Sequence, residues 1–391
     1  MRRAARPLSY GSTMAINRAA HRTAVLSTLA LTVLTGCARF DDTASTPFTP
    51  VPTFSAGEVQ PREPGAPSTP TPPPSGTPGV ELPCVDPDPA VVATCLDVTG
   101  GLTVLPGGQS ALVTERRTGR IVQVAPGMPT QEIARIGVDG SGDGGLLDVA
   151  LSPTYTEDNL LYAYITTATD NRVVRIAPGD TPKDVLTGIP RGASGNAGAL
   201  TFTGPGELTV VTSDTGDPAA ATDPGSLAGK ALRVTALAPA PVQPRPQVVL
   251  SGIGTAGDVC VNPAGGVWVT DRTVLEDRLQ RVAPDGATGT PVWTWPDRPG
   301  VAGCSAIDGG VAVSLTDGRA LAVLPVDSRT GAAQAAPGLV AQDTYGRLGG
   351  TDLGSDGLVW VSTVNKSGDQ PGPTDDRVVR IPAPRGGGGF D

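Results

Sequence analysis

The stretch Asn171-Arg172-Val173-Val174-Arg175-Ile176 decides the reading of this chain, because it comes back. It returns near the C-terminus as Asp376-Arg377-Val378-Val379-Arg380-Ile381. Weaker copies are Lys230-Ala231-Leu232-Arg233-Val234, Asp277-Arg278-Leu279-Gln280-Arg281-Val282 and, earlier, Gly119-Arg120-Ile121-Val122-Gln123-Val124. Polar and aliphatic residues alternate in each, the period of a strand with one buried face. A strand motif that recurs along a chain marks a repeat architecture.

The unit around each copy is longer than the motif. A Gly-led apolar strand opens it, as in Gly101-Leu102-Thr103-Val104-Leu105 or Gly257-Asp258-Val259-Cys260-Val261. A second strand follows, such as Ala111-Leu112-Val113-Thr114-Glu115 or Val267-Trp268-Val269-Thr270-Asp271. Then come the Arg-Val strand and a fourth, such as Gln247-Val248-Val249-Leu250. Opening strands begin near Gly101, Leu147, Ala199, Asp258, Cys304 and Thr351, about 50 residues apart, and four short strands at that period make a propeller blade. The expected fold is therefore all-β, a six-bladed β-propeller with four-stranded blades over residues 84–385. The last unit stops after its third strand, at Ile381. The spare segment Val91-Val92-Ala93-Thr94-Cys95-Leu96-Asp97-Val98 is expected to supply the missing strand and close the ring. A two-sheet sandwich would not return the same unit in order.

The chain has 391 residues, with 52 Gly and 40 Pro divided between a linker and many turns. Its formal net charge is −9, from 29 Lys+Arg against 38 Asp+Glu. An acidic chain without a basic stripe argues against nucleic acid as a partner. Five arginines within the first 22 residues precede an apolar run over residues 23–34, too short to span a bilayer and read as the core of a signal peptide. The run ends in Leu34-Thr35-Gly36-Cys37, which resembles a bacterial lipobox. That resemblance implies removal of residues 1–36, lipidation of Cys37 and anchoring to the membrane from an extracytoplasmic position. Met14 as the start would leave a leader of normal length. Residues 37–83 are Pro-, Thr- and Ser-rich and read as a semi-extended tether whose composition suits O-glycosylation; residues 386–391 are a Gly-rich tail.

Four cysteines remain, and in an exported protein they are expected to form two disulfides. Cys84 and Cys95 flank the closing strand and are paired; Cys260 and Cys304 fall on opening strands of consecutive blades and are paired. The only histidine, His21, lies in the leader. The mature chain thus lacks Ser-His-Asp and Cys-His catalysis, histidine metal ligands and a histidine base.

Carboxylates offer less specific signals. Asp139-Gly140-Ser141-Gly142-Asp143-Gly144 has the spacing of a calcium-loop start, but Ala150 stands where the bidentate Glu is needed. Asp214, Asp217 and Asp223 crowd one loop as a candidate metal or ligand cluster, although Asp is common in turns. Trp268 and Trp360 read as equivalent packing residues of second strands, whereas Trp293 and Trp295 read as an exposed pair suited to a carbohydrate.

Three segments carry a family resemblance. Gly142-Asp143-Gly144-Gly145-Leu146-Leu147-Asp148-Val149-Ala150-Leu151-Ser152-Pro153 resembles the GxGGLLGxAxxP segment of soluble quinoprotein glucose/sorbosone dehydrogenases. Thr212-Ser213-Asp214-Thr215-Gly216 resembles their TxGDxG, and Asp223-Pro224-Gly225-Ser226-Leu227-Ala228-Gly229-Lys230-Ala231-Leu232-Arg233-Val234 their DxxSLxGKxLRI run. The likeness is dense over residues 142–234 and diffuse elsewhere. It implies a six-bladed propeller, pyrroloquinoline quinone (PQQ) and calcium as cofactors, and sugar oxidation at a top-face funnel. It also implies what is missing. The family's HxxGxL segment is here Gly195-Asn196-Ala197-Gly198-Ala199-Leu200, with Gly195 in the place of the catalytic histidine. Asp214 matches the residue that orients that histidine, and the Arg-Asn pair before the fourth opening strand is absent from residues 252–257. Loss of an acid–base group typically costs about 10²–10⁴-fold in rate. The expectation is a monomeric, lipid-anchored, degenerate enzyme that binds a glycan, small molecule or envelope protein. The alternative is an active quinoprotein dehydrogenase with Asp214 as its base.

Overall fold

The computed structural model describes residues 84–283, 291–368 and 371–383. The leader, Cys37, the tether and the tail lie outside the described residues. Six antiparallel four-stranded sheets follow one another as blades one to six, opening on inner strands Thr99–Val104, Leu146–Leu151, Gly198–Gly204, Ala256–Val261, Val301–Ile307 and Leu348–Leu353. Each inner strand packs beside that of the next blade, and the last packs beside the first, so the ring closes about an axis. Blade six is completed from the N-terminus: Val91 pairs with Val379 and Ala93 with Val378.

The repeated motif explains this regularity. Its polar lead residue is buried in blades two, four and six (Asn171, Asp277 and Asp376). There it fastens the crossing to the next blade: Asn171 Nδ2 donates to Pro190 O at 2.8 Å, and Asp277 Oδ2 accepts from Gly300 N at 2.6 Å and Val301 N at 3.0 Å. Buried polar groups must find such partners. The second arginine faces the aromatic of the neighbouring strand, Arg175 opposite Tyr162, Arg281 opposite Trp268 and Arg380 opposite Trp360. The Arg380 guanidinium lies 5.6 Å from the Trp360 ring, within cation–π range.

Strand ends differ from the sequence expectation where polar residues turn inward. The last strand of the chain is Val378–Pro382 rather than starting at Asp376, whose carboxylate instead accepts from Lys366 N at 3.2 Å. The closing strand is Val91–Ala93, not the whole of residues 91–98. Cys95 takes a positive φ of 56°, and the chain then dives toward the axis, with Leu96 N donating to Asp376 O at 3.0 Å. The Cys84–Cys95 disulfide, with Cα atoms 5.8 Å apart, ties down this seam.

The core lies between blades. Trp360 is fully buried with Val113, Val122 and Val378 where blades six and one meet. Trp268 packs with Leu279, Trp295 and the Cys260–Cys304 disulfide, which joins the inner strands of blades four and five. Trp293 and Trp295 share a strand face and meet edge to face, ring centroids 6.4 Å apart. That face is turned to blade five, where Trp295 is buried and Trp293 packs against the same cluster, so the pair is not an exposed carbohydrate platform. Strand alternation specifies which side chains share a face, and the neighbouring blade decides whether that face is covered.

Candidate functional site

The six inner strands surround a cavity of about 620 Å³ on the propeller axis. Its mouth is the end at which these strands begin. Loops there contribute Arg116, Asp143 and Arg347 to the lining, and the strand Val267–Arg272 ends there with Arg272.

Each arginine is held by backbone or a carboxylate. Arg116 Nη1 donates to Gly142 O at 2.9 Å and Gly144 O at 2.6 Å, so the Gly-rich entry to blade two wraps this guanidinium. Arg272 donates to Val301 O, to Gly300 O at 2.8 Å and to Thr316 Oγ1 at 2.7 Å. Burial pulls both below their ordinary values, with further repulsion from Arg117 on the first and Arg347 on the second. Arg347 pairs with Asp317 at 2.9 Å, while its Nε is buried without a partner. These arginines were not read from the sequence. They come from separate blades, and no local spacing marks them.

The corner between blades two and three holds the residues that the family likeness singled out. Asp143 Oδ2 accepts from Gly195 N at 2.5 Å and Asp143 Oδ1 from Asn196 Nδ2 at 2.8 Å. Asn196 is itself buried, and its Oδ1 accepts from Gly192 N at 3.0 Å and Asn171 Nδ2 at 3.2 Å. The lead residue of the blade-two motif therefore sets the shape of the loop that enters blade three. The loop's carbonyls are also tied, Ser213 Oγ donating to Ala197 O at 2.7 Å.

Gly195 has a φ of +68°, and a Cβ built on it would lie 2.8 Å from Gly216 N and 3.1 Å from Thr215 Cα. A side chain here would meet both strain and backbone. Asp214 explains the crowding. Its Oδ1 accepts from Gly216 N at 2.9 Å, its own N–H donates to Gly254 O at 2.8 Å, and it is buried outside the cavity lining. Asp214 thus braces the turn that fills the space beside residue 195, and it does not face the channel.

The proposed Asp cluster does not converge. Asp217 caps the helix Pro218–Thr222 by accepting from Ala219 N at 3.0 Å, and Asp223 accepts from Gly225 N at 2.7 Å. Among the described residues no group of three His, Cys, Asp or Glu side chains is placed to hold a metal ion. The calcium-like loop is also engaged otherwise, with Asp139 paired to Arg191 at 2.5 Å. Lys230, fully buried, donates to Ala220 O at 3.0 Å, Ala221 O at 2.6 Å and Ala228 O at 2.8 Å, locking the helix to the loop below it.

Deeper in the cavity stand Asp148, Asp258 and Asp352, on the inner strands of blades two, four and six. Each accepts from its own following N–H and from the inner strand of the next blade. Asp148 takes Leu200 N at 2.8 Å, Asp258 takes Cys304 N at 2.7 Å and Asp352 takes Val104 N at 2.7 Å. A Cβ on Gly101 would stand 1.7 Å from Asp148 Oδ1, so only glycine there admits this carboxylate. Burial pushes all three up, Asp258 to about 7 and Asp148 well above the usual carboxylate range, where the Asp258 charge adds to the effect. The sequence signal was an Asp inside an otherwise apolar opening strand.

The sequence pattern of the family described as Glucose / Sorbosone dehydrogenase matches residues 96–263. The PQQ-bound form of the aldose sugar dehydrogenase of Streptomyces coelicolor is 30% identical over 74% of this chain and 95% of that one, with a TM-score of 0.66. An oxidoreductase of Thermus thermophilus, described as a glucose dehydrogenase, is 28% identical over 74% and 98%, with a TM-score of 0.65. The soluble aldose sugar dehydrogenase of Escherichia coli, 19% identical over 75% and 99% with a TM-score of 0.62, shares the fold. No curated protein matches the chain at a significant level.

Proposed function

The chain belongs to the glucose/sorbosone dehydrogenase family, and from that premise we propose that it binds a ligand at the channel mouth without oxidising it. In this reading it is a degenerate, monomeric member, held outside the cytoplasm by a lipidated Cys37. Its tether and propeller are similar to those of the mycobacterial lipoprotein LppZ. The ligand is a small molecule, the end of a glycan or a segment of an envelope protein.

The corner at Gly195 carries the reading. The relatives' names supply PQQ, so the residues here can be tested against that group. Arg116, Arg272 and Arg347 match the charge of its carboxylates. Sugar oxidation also needs a base beside the hydroxyl. Residue 195 has no side chain and no room for one. Asp214, the substitute base expected from sequence, is buried outside the lining. Asp143 does line the mouth, but its oxygens already accept from Gly195 N and Asn196. The residues suit an anion and do not fit quinone-dependent oxidation. The test is dye reduction over a panel of sugars with added PQQ and calcium, run beside a PQQ titration by calorimetry. Blank-level reduction supports the reading whether or not the quinone binds; sugar-dependent turnover overturns it.

A further inference from the structure

We propose that the ligand is an anionic single-chain amphiphile, its carboxylate or phosphate held by Arg116, Arg272 and Arg347 at the mouth and its alkyl chain lying in the axial channel. This deepens the ligand-binding reading above and rests on it.

Three observations point there. The first is the order of charge along the axis. All three lining guanidiniums sit at the mouth, and the charged residues deeper in are Asp148, Asp258 and Asp352. An anionic head is drawn to the arginines and finds no cation deeper among the described lining residues, which sets the ligand's direction. Each deep carboxylate is also occupied by backbone N–H groups from two blades, and burial favours its neutral form, so it tolerates an apolar neighbour.

The second is the far end. Leu151, Phe202, Val261 and Leu353 stand at or near the ends of the inner strands of blades two, three, four and six and line the cavity, each only half-buried despite lying on the propeller axis. Leu151, Phe202 and Leu353 pack one side against the clusters between blades, Phe202 edge to face with Tyr162, and the part of each that lines the cavity is a surface that an alkyl chain would bury.

The third is shape. An inner strand of six residues is about 20 Å long, so a cavity of about 620 Å³ along it averages about 30 Å² in section. A single extended alkyl chain can lie along a cavity of that length. A neutral sugar would also meet a single aromatic face among the described lining residues, Phe202.

The experiment is calorimetric titration of the full chain carrying Cys37→Ser, so that no detergent competes. The probes are octanoate, decanoate, dodecanoate, dodecyl phosphate, dodecyl maltoside and gluconate, each below its micelle concentration. The alkanoates should tighten about fourfold per added methylene, the value of one buried CH₂. Gluconate and dodecyl maltoside should each bind at least about tenfold more weakly than dodecanoate, since one lacks the chain and the other the charge. Tighter binding of dodecanoate assigns a fatty-acid head, and tighter binding of dodecyl phosphate a lipid phosphate. Arg347→Gln should weaken every anion and keep the chain-length slope. Phe202→Glu should flatten the slope and leave gluconate unchanged, a readout that mere misfolding would not produce. A flat slope in the wild type, gluconate binding as tightly as dodecanoate, or a slope that survives Phe202→Glu overturns the amphiphile. None of these results touches the broader ligand-binding reading, which falls only to sugar turnover in the dye assay.

Discussion

The corner at blades two and three and the axis beside it use carboxylates in opposite ways. At the corner, Asp143 and Asp214 accept from N–H groups of the loop entering the first strand of blade three, at Gly195, and of the loop leaving its second strand, at Gly216, and fix the shape of those loops. On the axis, Asp148, Asp258 and Asp352 reach from one blade to the next and join strands far apart in sequence. The family likeness is dense at the corner, yet the position where the resemblance places the family's histidine is Gly195. The likeness there tracks backbone shape rather than chemistry. Asp148, by contrast, stands where the family pattern has glycine, so the axis carries a departure of its own.

Five perturbations sharpen this comparison, in falling order of effect. On the axis, replacing Cys260 and Cys304 by alanine opens a loop of 44 residues and should cost about 4 kcal/mol in the chain-entropy model. The Cys84–Cys95 pair, spanning 11 residues, should cost about 3 kcal/mol, and urea denaturation of the two double variants checks the order. At the corner, Lys230→Met leaves three carbonyls without their donor and should cost about 3 kcal/mol by the same measurement. A loss well under 1 kcal/mol would mean that Lys230 does not hold the helix Pro218–Thr222 in place.

Gly195→His should cost about 1–3 kcal/mol, because the residue must keep a left-handed φ against the Thr215–Gly216 backbone. It should create no sugar oxidation. A variant as stable as wild type would show that the corner yields and has room for a base. The smallest effect is one of slope. Asp258 is raised to about 7 in the folded protein against an ordinary value near 3.8. The folded state then holds the extra proton, so stability should fall as pH rises from about 4 to about 7 and level off above that. Melting temperatures across this range should decline less steeply in Asp258→Asn than in wild type; equal slopes would contradict the burial of this carboxylate.

The fold was legible because a repeated strand leaves the same trace several times, and errors in one copy are corrected by the others. The errors that remained sit at strand ends. Asp376 and Cys95 looked like strand residues by alternation, but one accepts from the turn at Lys366 within its own blade and the other takes a positive φ. Trp293 and Trp295 were misread because alternation says nothing about which blade lies opposite. At the site, the motif around Gly195 was legible, while the backbone crowding beside it was not. The pairing of Cys260 with Cys304 followed from adjacent blades. The arginines of the mouth and the axial carboxylates were not legible, since each is a single residue delivered by a different blade and only closure of the ring brings them together. The likeness to the histidine-orienting residue made Asp214 look like a base, whereas its burial and its bond to Gly216 N could not be read from the motif.

The most direct test of the account is single-turnover dye reduction with saturating PQQ, calcium and an aldose, comparing wild type with Asp214→Asn. Both proteins should remain at the level of the blank, because neither presents a base to the sugar. Reduction by the wild type that disappears in Asp214→Asn would make Asp214 the base and contradict the account at its centre.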